Sequence, residues 1–181
     1  IAAGHLRKLG GEGLPSSLMF AKLSPDGAWA AYVRENNLYV EELATGTIRA
    51  LTRDGSETTI NGTSDWVNEE ELGLCDAFRW SPDSRKIAYW QFDTTGVGVY
   101  TILDHGDALY PRVKSFPYPK AGTSNSSIRI GVVSVQGGGT TWIALPGDPR
   151  NFYIPRMEWA DDGALVLERL NRLQNENKLL L

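Results

Sequence analysis

Cysteine, histidine and clustered positive charge are all scarce in this 181-residue chain. The single cysteine, Cys75, excludes an intrachain disulfide and a cysteine-rich zinc site. Between Leu74 and Asp76 it reads as a small, half-buried residue rather than a nucleophile. The two histidines are poorly placed for acid–base work: His5 lies in an irregular N-terminal stretch, and Asp104-His105-Gly106-Asp107 reads as a turn. Basic residues number 18 against 22 acidic ones, a net charge of -4, and only Arg7-Lys8 and Arg85-Lys86 are adjacent. A phosphate-binding surface needs basic side chains gathered on one face, so nucleic acid is not expected as a partner. The six tryptophans then read as packing residues rather than base-stacking platforms.

Long apolar runs are missing too. No stretch approaches the ~18 apolar residues of a membrane span, and residues 1–3 are too short for the apolar part of an export signal. Any such signal is expected outside these residues. The Gly-x-Ser-x-Gly turn of serine hydrolases is absent, so no catalytic residue is expected within the chain. Gly137-Gly138-Gly139 is not followed by Gly-Lys-Ser/Thr and reads as a hairpin turn between strands at 128–135 and 140–145. Asp161-Asp162 sits in a turn and shapes backbone rather than holding metal. Neither a cofactor nor a metal is expected.

What is present is a run of short strands and tight turns. Strands are expected at 19–23, 28–34, 38–43 and 47–52. They are joined by Ser24-Pro25-Asp26-Gly27, Glu35-Asn36-Asn37 and Ala44-Thr45-Gly46. In the first turn Pro presets φ and Gly accepts a positive φ. The pattern recurs at Ser81-Pro82-Asp83-Ser84 and again, degenerate, at Ala160-Asp161-Asp162-Gly163. The spacings are 57 and 79 residues. Four-stranded units recurring at such intervals, with insertions, are the mark of propeller blades. The expected fold is all-β: a partial β-propeller of about three four-stranded antiparallel blades over residues 18–181, after an irregular segment at 1–17. A closed propeller needs about four blades or more. Open sheet edges are therefore expected, and with them self-association of the fragment.

One segment breaks the alternation. Asn61-Gly62 is a turn signal, Asp65 a good N-cap, and Trp66-Val67-Asn68-Glu69-Glu70-Glu71 fits a short acidic helix near 65–72. Composition alone reads this as a solvated acidic turn. Successive helical carboxylates, however, fan out by ~100° per residue, so two neighbours can converge on one cation. A peptide α-ammonium, with a pKa near ~8, is such a cation, and two carboxylates would take charge-assisted hydrogen bonds from it.

Asn61-Gly62 followed by Asp65-Trp66-Val67-Asn68-Glu69-Glu70-Glu71 resembles a segment of dipeptidyl peptidase IV and its relatives in the prolyl oligopeptidase family. Three further stretches agree with that family. They are Arg79-Trp80-Ser81-Pro82-Asp83, Phe116-Pro117-Tyr118-Pro119-Lys120-Ala121-Gly122, and Trp159-Ala160 with Arg172-Leu173-Gln174-Asn175. The resemblance implies an eight-bladed propeller joined to an α/β-hydrolase domain that is not in this chain. It implies that Glu70 and Glu71 bind the free N-terminus of a peptide substrate, with Glu69, Asp65 and Trp66 in support, and that the enzyme releases N-terminal Xaa-Pro or Xaa-Ala dipeptides. An arginine that relatives add to the site would lie upstream of Ile1. The resemblance further implies a periplasmic, secreted or membrane-anchored parent. Two residues depart from the family pattern: Asn68 replaces a Tyr, and Ser126 stands where Pro often follows Asn125. Asn61-Gly62-Thr63 and Asn125-Ser126-Ser127 fit the N-glycosylation pattern. A non-catalytic propeller that binds proteins or peptides is the alternative function. A hydrolase using Glu70 and Glu71 as acid and base ranks below both, because one helical turn does not place two carboxyls on opposite sides of a bond.

Overall fold

The computed structural model describes residues 6–13, 17–106 and 109–181. His5 and Asp107 lie outside the described residues, as does part of the expected irregular segment at 1–17.

The first sheet matches the expected meander. Strands β1 (Met19–Leu23), β2 (Trp29–Arg34), β3 (Asn37–Glu42) and β4 (Ile48–Ala50) pair antiparallel in that order. Alternation places Leu38 and Val40 inward with no exposed surface. Residues 6–13 are tied to this sheet through Glu41. Its buried carboxylate meets Arg7 at 3.1 Å and accepts the Gly10 N–H at 2.8 Å.

The second sheet is built on two long strands, β7 (Lys86–Asp93) and β10 (Ser127–Ser134), with β11 (Thr141–Trp142) outside β10. The three glycines at 137–139 lie in the β10–β11 hairpin connection, although β11 is shorter than the 140–145 expected. The other edge of β7 is shared by β5 (Thr59–Asn61) and β6 (Phe78–Trp80), one strand cut in two. At the cut, Trp90 accepts the Gly62 N–H at 3.1 Å and donates to the Ala77 carbonyl at 3.0 Å. Residues 63–76 thus leave the sheet and return without losing the ladder. A ribbon, β8 (Val99–Asp104) with β9 (Arg112–Pro117), leaves between β7 and β10. It was not anticipated from the sequence. The third sheet, β12 (Phe152–Trp159), β13 (Leu165–Asn171) and β14 (Asn177–Leu180), contains three strands, not four.

The sheets stack face to face, as propeller blades do. Ile87, Tyr89 and Val133 of the second sheet pack with Val33, Leu38 and Val40 of the first. Ala88, Trp90, Phe92, Ile128 and Ile130 pack with Phe152, Ile154 and Met157 of the third. A sheet buried on both faces needs a nearly continuous apolar strand, and residues 87–92 of β7 are all buried. Trp90 fixes the second seam further by donating to the Ile154 carbonyl at 2.8 Å. Gly131 is required where Tyr89 and Trp142 pack at 5.9 Å. A Cβ there would meet the Tyr89 ring at 2.9 Å and Thr140 at 2.5 Å.

Both Ser-Pro-Asp turns use the same device. Ser24 Oγ donates to Asp26 at 2.6 Å, and Ser81 Oγ to Asp83 at 2.7 Å. These hydroxyls, helped by the backbone N–H of Ala28 and Arg85, hold both carboxyls below the ordinary aspartate range. Ala160 removes the hydroxyl from the third turn, which keeps only the Ala164 N–H to Asp162 bond at 2.9 Å and its backbone bonds.

Candidate substrate-recognition helix

The excursion from the second sheet carries the only α-helix among the described residues, α1 (Trp66–Leu72). Its ends follow the sequence logic. Asp65, extended at φ -82°, accepts the Asn68 N–H through Oδ1 at 3.0 Å. Gly73 closes the helix at φ 66°, and its N–H reaches the Glu69 carbonyl at 3.1 Å. The base of the excursion is pinched by Ala77 N–H to Gly62 O at 3.0 Å and by a Thr63–Asp76 bridge. Gly62, at φ 77°, passes so close to the first sheet that a Cβ would meet Val33 at 2.8 Å.

Asp65 does more than cap. It is 6% exposed, and its Oδ1 also accepts the Asn68 side-chain amide at 2.7 Å. Its Oδ2 accepts Ser126 Oγ at 2.5 Å. Asn68 and Ser126 are themselves buried. Asn68 spends its NH2 on the carboxylate although its own Oδ1 stays buried without a partner. Leaving an acceptor unmatched costs on the order of 1–3 kcal/mol, so the carboxylate dictates the orientation of the amide. The two departures from the family pattern are therefore bonded to one carboxylate. The sequence marked both positions without showing that they meet.

Glu69, Glu70 and Glu71 are all exposed. Their carboxylates form no hydrogen bond or ion pair among the described residues. Glu71 stands on the wall of an open groove of ≈ 910 Å³, whereas Glu69 and Glu70 are outside its lining. The groove is aromatic. Trp66 packs on Tyr118 with ring centres 4.2 Å apart, and Tyr118 packs on Tyr100 at 5.4 Å. Tyr153 closes another side and accepts Asn125 Nδ2 at 2.8 Å. Two arginines hold the segment at 123–125. Arg150 donates to the Asn125 carbonyl at 2.6 Å and to Thr95 O at 3.0 Å, and Arg172 donates to Thr123 O. Tyr118, Tyr153, Arg150 and Arg172 thus belong to the site. Sequence reasoning placed Tyr118 and Arg172 in motifs without assigning them a contact, and it missed Tyr153 and Arg150.

All four motifs converge. Trp66 of the first packs on Tyr118 of the third, and Arg172 of the fourth bonds the loop that follows Tyr118. Trp159 of the fourth donates to the Arg79 carbonyl of the second at 3.1 Å, beside an Arg79–Glu158 ion pair at 3.1 Å. Two other expectations, those on Cys75 and Asn61, need correction. Cys75 is exposed, because Leu74 takes the inward position on the return leg. Asn61 is fully buried, with its amide bonded to Asn36 O and Asp54, so it presents no acceptor for a glycan. His105 lies exposed at the tip of the ribbon. Among the described residues no three potential metal ligands cluster, and no helix is long and apolar enough to cross a membrane.

A helix of free carboxylates projects beside an aromatic groove from stacked antiparallel sheets, and those sheets form a segment of a β-propeller. Residues 3–181 match the model of the dipeptidyl peptidase IV (DPP IV) N-terminal region, and the chain belongs to that family. Human prolyl endopeptidase FAP is 34% identical, with 93% of this chain and 23% of the relative covered. Mouse inactive dipeptidyl peptidase 10 is 36% identical, covering 92% of this chain and 22% of the relative. The crystal structure of Porphyromonas gingivalis dipeptidyl peptidase 4 superposes with a TM-score of 0.83 at 36% identity, over 90% of this chain and 23% of that one. The chain thus spans under a quarter of the length of these relatives, and the partial propeller is the corresponding part of their fold.

Proposed function

We propose that this chain is the propeller portion of a serine-type dipeptidyl peptidase, in which Glu70 and Glu71 hold the N-terminal ammonium of the substrate. The observation that carries the reading is a pair of unpaired carboxylates on a helix whose base is locked by a buried aspartate. Unpaired carboxylates have no internal partner to give up when a cation arrives. A rigid base lets them fix the distance from the peptide N-terminus to a nucleophile supplied by an α/β-hydrolase domain outside these residues. Cleavage two residues in would follow from that distance.

The test is hydrolysis of an Xaa-Pro substrate by the full-length protein. Glu70→Gln and Glu71→Gln are each expected to lower kcat/KM by about a hundredfold or more. An N-acetylated substrate, which lacks the ammonium, should be equally poor with wild type and variants. Unchanged turnover in both variants would overturn the assignment.

A second reading is favoured by one comparison. A relative named as inactive matches at 36%, no less closely than the relative named as a prolyl endopeptidase. The same helix would then serve a non-catalytic module that captures peptides or proteins by a free N-terminus. Full-length protein that binds a free-amino Xaa-Pro peptide without cleaving it would establish that alternative. Under either reading, the outer strands β4 and β14 are edges to which the 181-residue chain in isolation would pair. A monomer in light scattering would contradict this.

A further inference from the structure

We infer that Ser126 and Asn68 are positioning residues that set the direction of the Glu70–Glu71 helix through the shared Asp65 carboxylate. The inference rests on the reading of that pair as the grip on a substrate N-terminus. Three donors meet one carboxylate: the Asn68 N–H at 3.0 Å, the Asn68 side-chain amide at 2.7 Å and the Ser126 hydroxyl at 2.5 Å. Asp65, Asn68 and Ser126 are 6%, 5% and 6% exposed, so water does not compete for these bonds. Asn68 acts within the helix and shapes only its first turn. Ser126 is different. It lies at the foot of β10, 61 residues from Asp65, and its hydroxyl is a side-chain bond that ties the helix cap to the second sheet, beside the backbone bonds at Gly62 and Ala77.

The fastening continues beyond Ser126. Asn125 gives its carbonyl to Arg150 and its side-chain amide to the Tyr153 hydroxyl. Arg150 also donates to the carbonyl of Thr95, two residues past β7, and its own carbonyl accepts Arg172 at 3.3 Å. The helix base is thus referenced to the second and third sheets at once, while the carboxylates of Glu69, Glu70 and Glu71 form no hydrogen bond or ion pair among the described residues. Loss of the Ser126 hydroxyl removes the tie without touching a carboxylate of the recognition pair or a side chain that lines the aromatic groove. The helix keeps its cap through Asn68 and loses its fixed direction. A misdirected clamp weakens capture of the substrate more than it slows the chemistry of bound substrate.

The experiment is Ser126→Ala, with Ser126→Thr and Asn68→Leu beside it, in the full-length protein. Two quantities are read: KM and kcat for an Xaa-Pro substrate with a free amine, and hydrogen exchange of the Asn68 and Glu69 backbone amides. Ser126→Ala should raise KM about tenfold with kcat within about twofold, and should speed exchange about tenfold. Ser126→Thr, which keeps the hydroxyl, should restore both within about twofold. Asn68→Leu should speed exchange at least as much, because it strips Asp65 of one of its two side-chain donors. A folded Ser126→Ala protein with both quantities unchanged overturns the inference. Faster exchange with an unchanged KM overturns it too, since the bond would then be structural only. Failure of the Glu70–Glu71 reading is seen separately: turnover would survive Glu70→Gln and Glu71→Gln, while exchange would still report on the tie.

Discussion

Two segments leave the second sheet, and each has an aspartate at a strategic point. Asp65 sits at the base of the helix excursion, buried, with three donors on its carboxylate. Asp104 sits at the tip of the β8–β9 ribbon and pairs with Lys114 at 2.5 Å, on the surface. The first pairing excludes water and has two of its partners fixed by packing. The second ties one flexible side chain to another in solvent, where such pairs contribute little. The side chains flanking them differ in the same sense. Around Asp65 the excursion is pinned by Gly62, Leu74 and Ala77. The ribbon exposes Val99, Leu103 and Val113. The helix excursion is built on buried polar contacts, whereas the ribbon meets it through aromatic packing of the exposed Tyr100 on Tyr118, which packs on Trp66.

The sharpest way to break this comparison is Asp65→Ala. It strands the Asn68 N–H, the Asn68 amide and the Ser126 hydroxyl in a buried site. A loss of about 3 kcal/mol or more in urea denaturation is expected, with α1 exchanging fully. Next comes Gly62→Ala. The φ of 77° and the 2.8 Å approach to Val33 both oppose a Cβ, and about 2 kcal/mol is expected from the same measurement. Gly73→Ala separates the two causes. Its φ is 66°, but nothing lies within 4 Å of the added Cβ, so only the backbone cost of about 1 kcal/mol remains. On the ribbon, Leu103→Ser should shift stability by no more than about 0.5 kcal/mol. A loss there comparable to that of Asp65→Ala would show that the ribbon is also locked.

The smallest effect is electrostatic. The Lys114 ammonium, with the Gly106 N–H behind it, holds the Asp104 carboxyl below the ordinary aspartate range. A depressed folded value means that its contribution is present above the unfolded pKa and is lost as pH falls through the folded one. Lys114→Met should raise the Asp104 titration in NMR toward the ordinary value and leave the thermal midpoint unchanged.

Much of this was legible in the chain. The Ser-Pro-Asp turns announced themselves through Pro, and the first through Gly27 as well; the Ser–Asp bond that closes each is equally local. Asp65 marked the start of the helix by the ordinary cap rule, whereas the closing role of Gly73 came only from the structure. The third turn formed without its serine because its backbone bonds suffice. Less legible were features that depend on partners far along the chain. Cys75 looked half-buried because its neighbours are apolar and polar in turn, and only the return path of the excursion shows which side faces out. Asn61 fitted a glycosylation pattern, yet cross-sheet bonds to Asn36 and Asp54 bury it. The ribbon at 99–104 and 112–117 went unread, because nothing local shows that those residues would stand apart from the stacked sheets.

The sequence by itself determined the strands and turns of the first sheet, the acidic helix and its N-cap, because each is decided by residues a few positions apart. It also determined the family, through four motifs that recur in order. Tertiary structure alone decided that those motifs meet, that one strand is cut to release the helix, and that Asn68 and Ser126 share the Asp65 carboxylate. The reason is physical: a hydrogen bond across 61 residues forms only once the sheets have stacked and excluded water, and no local pattern encodes which hydroxyl will arrive.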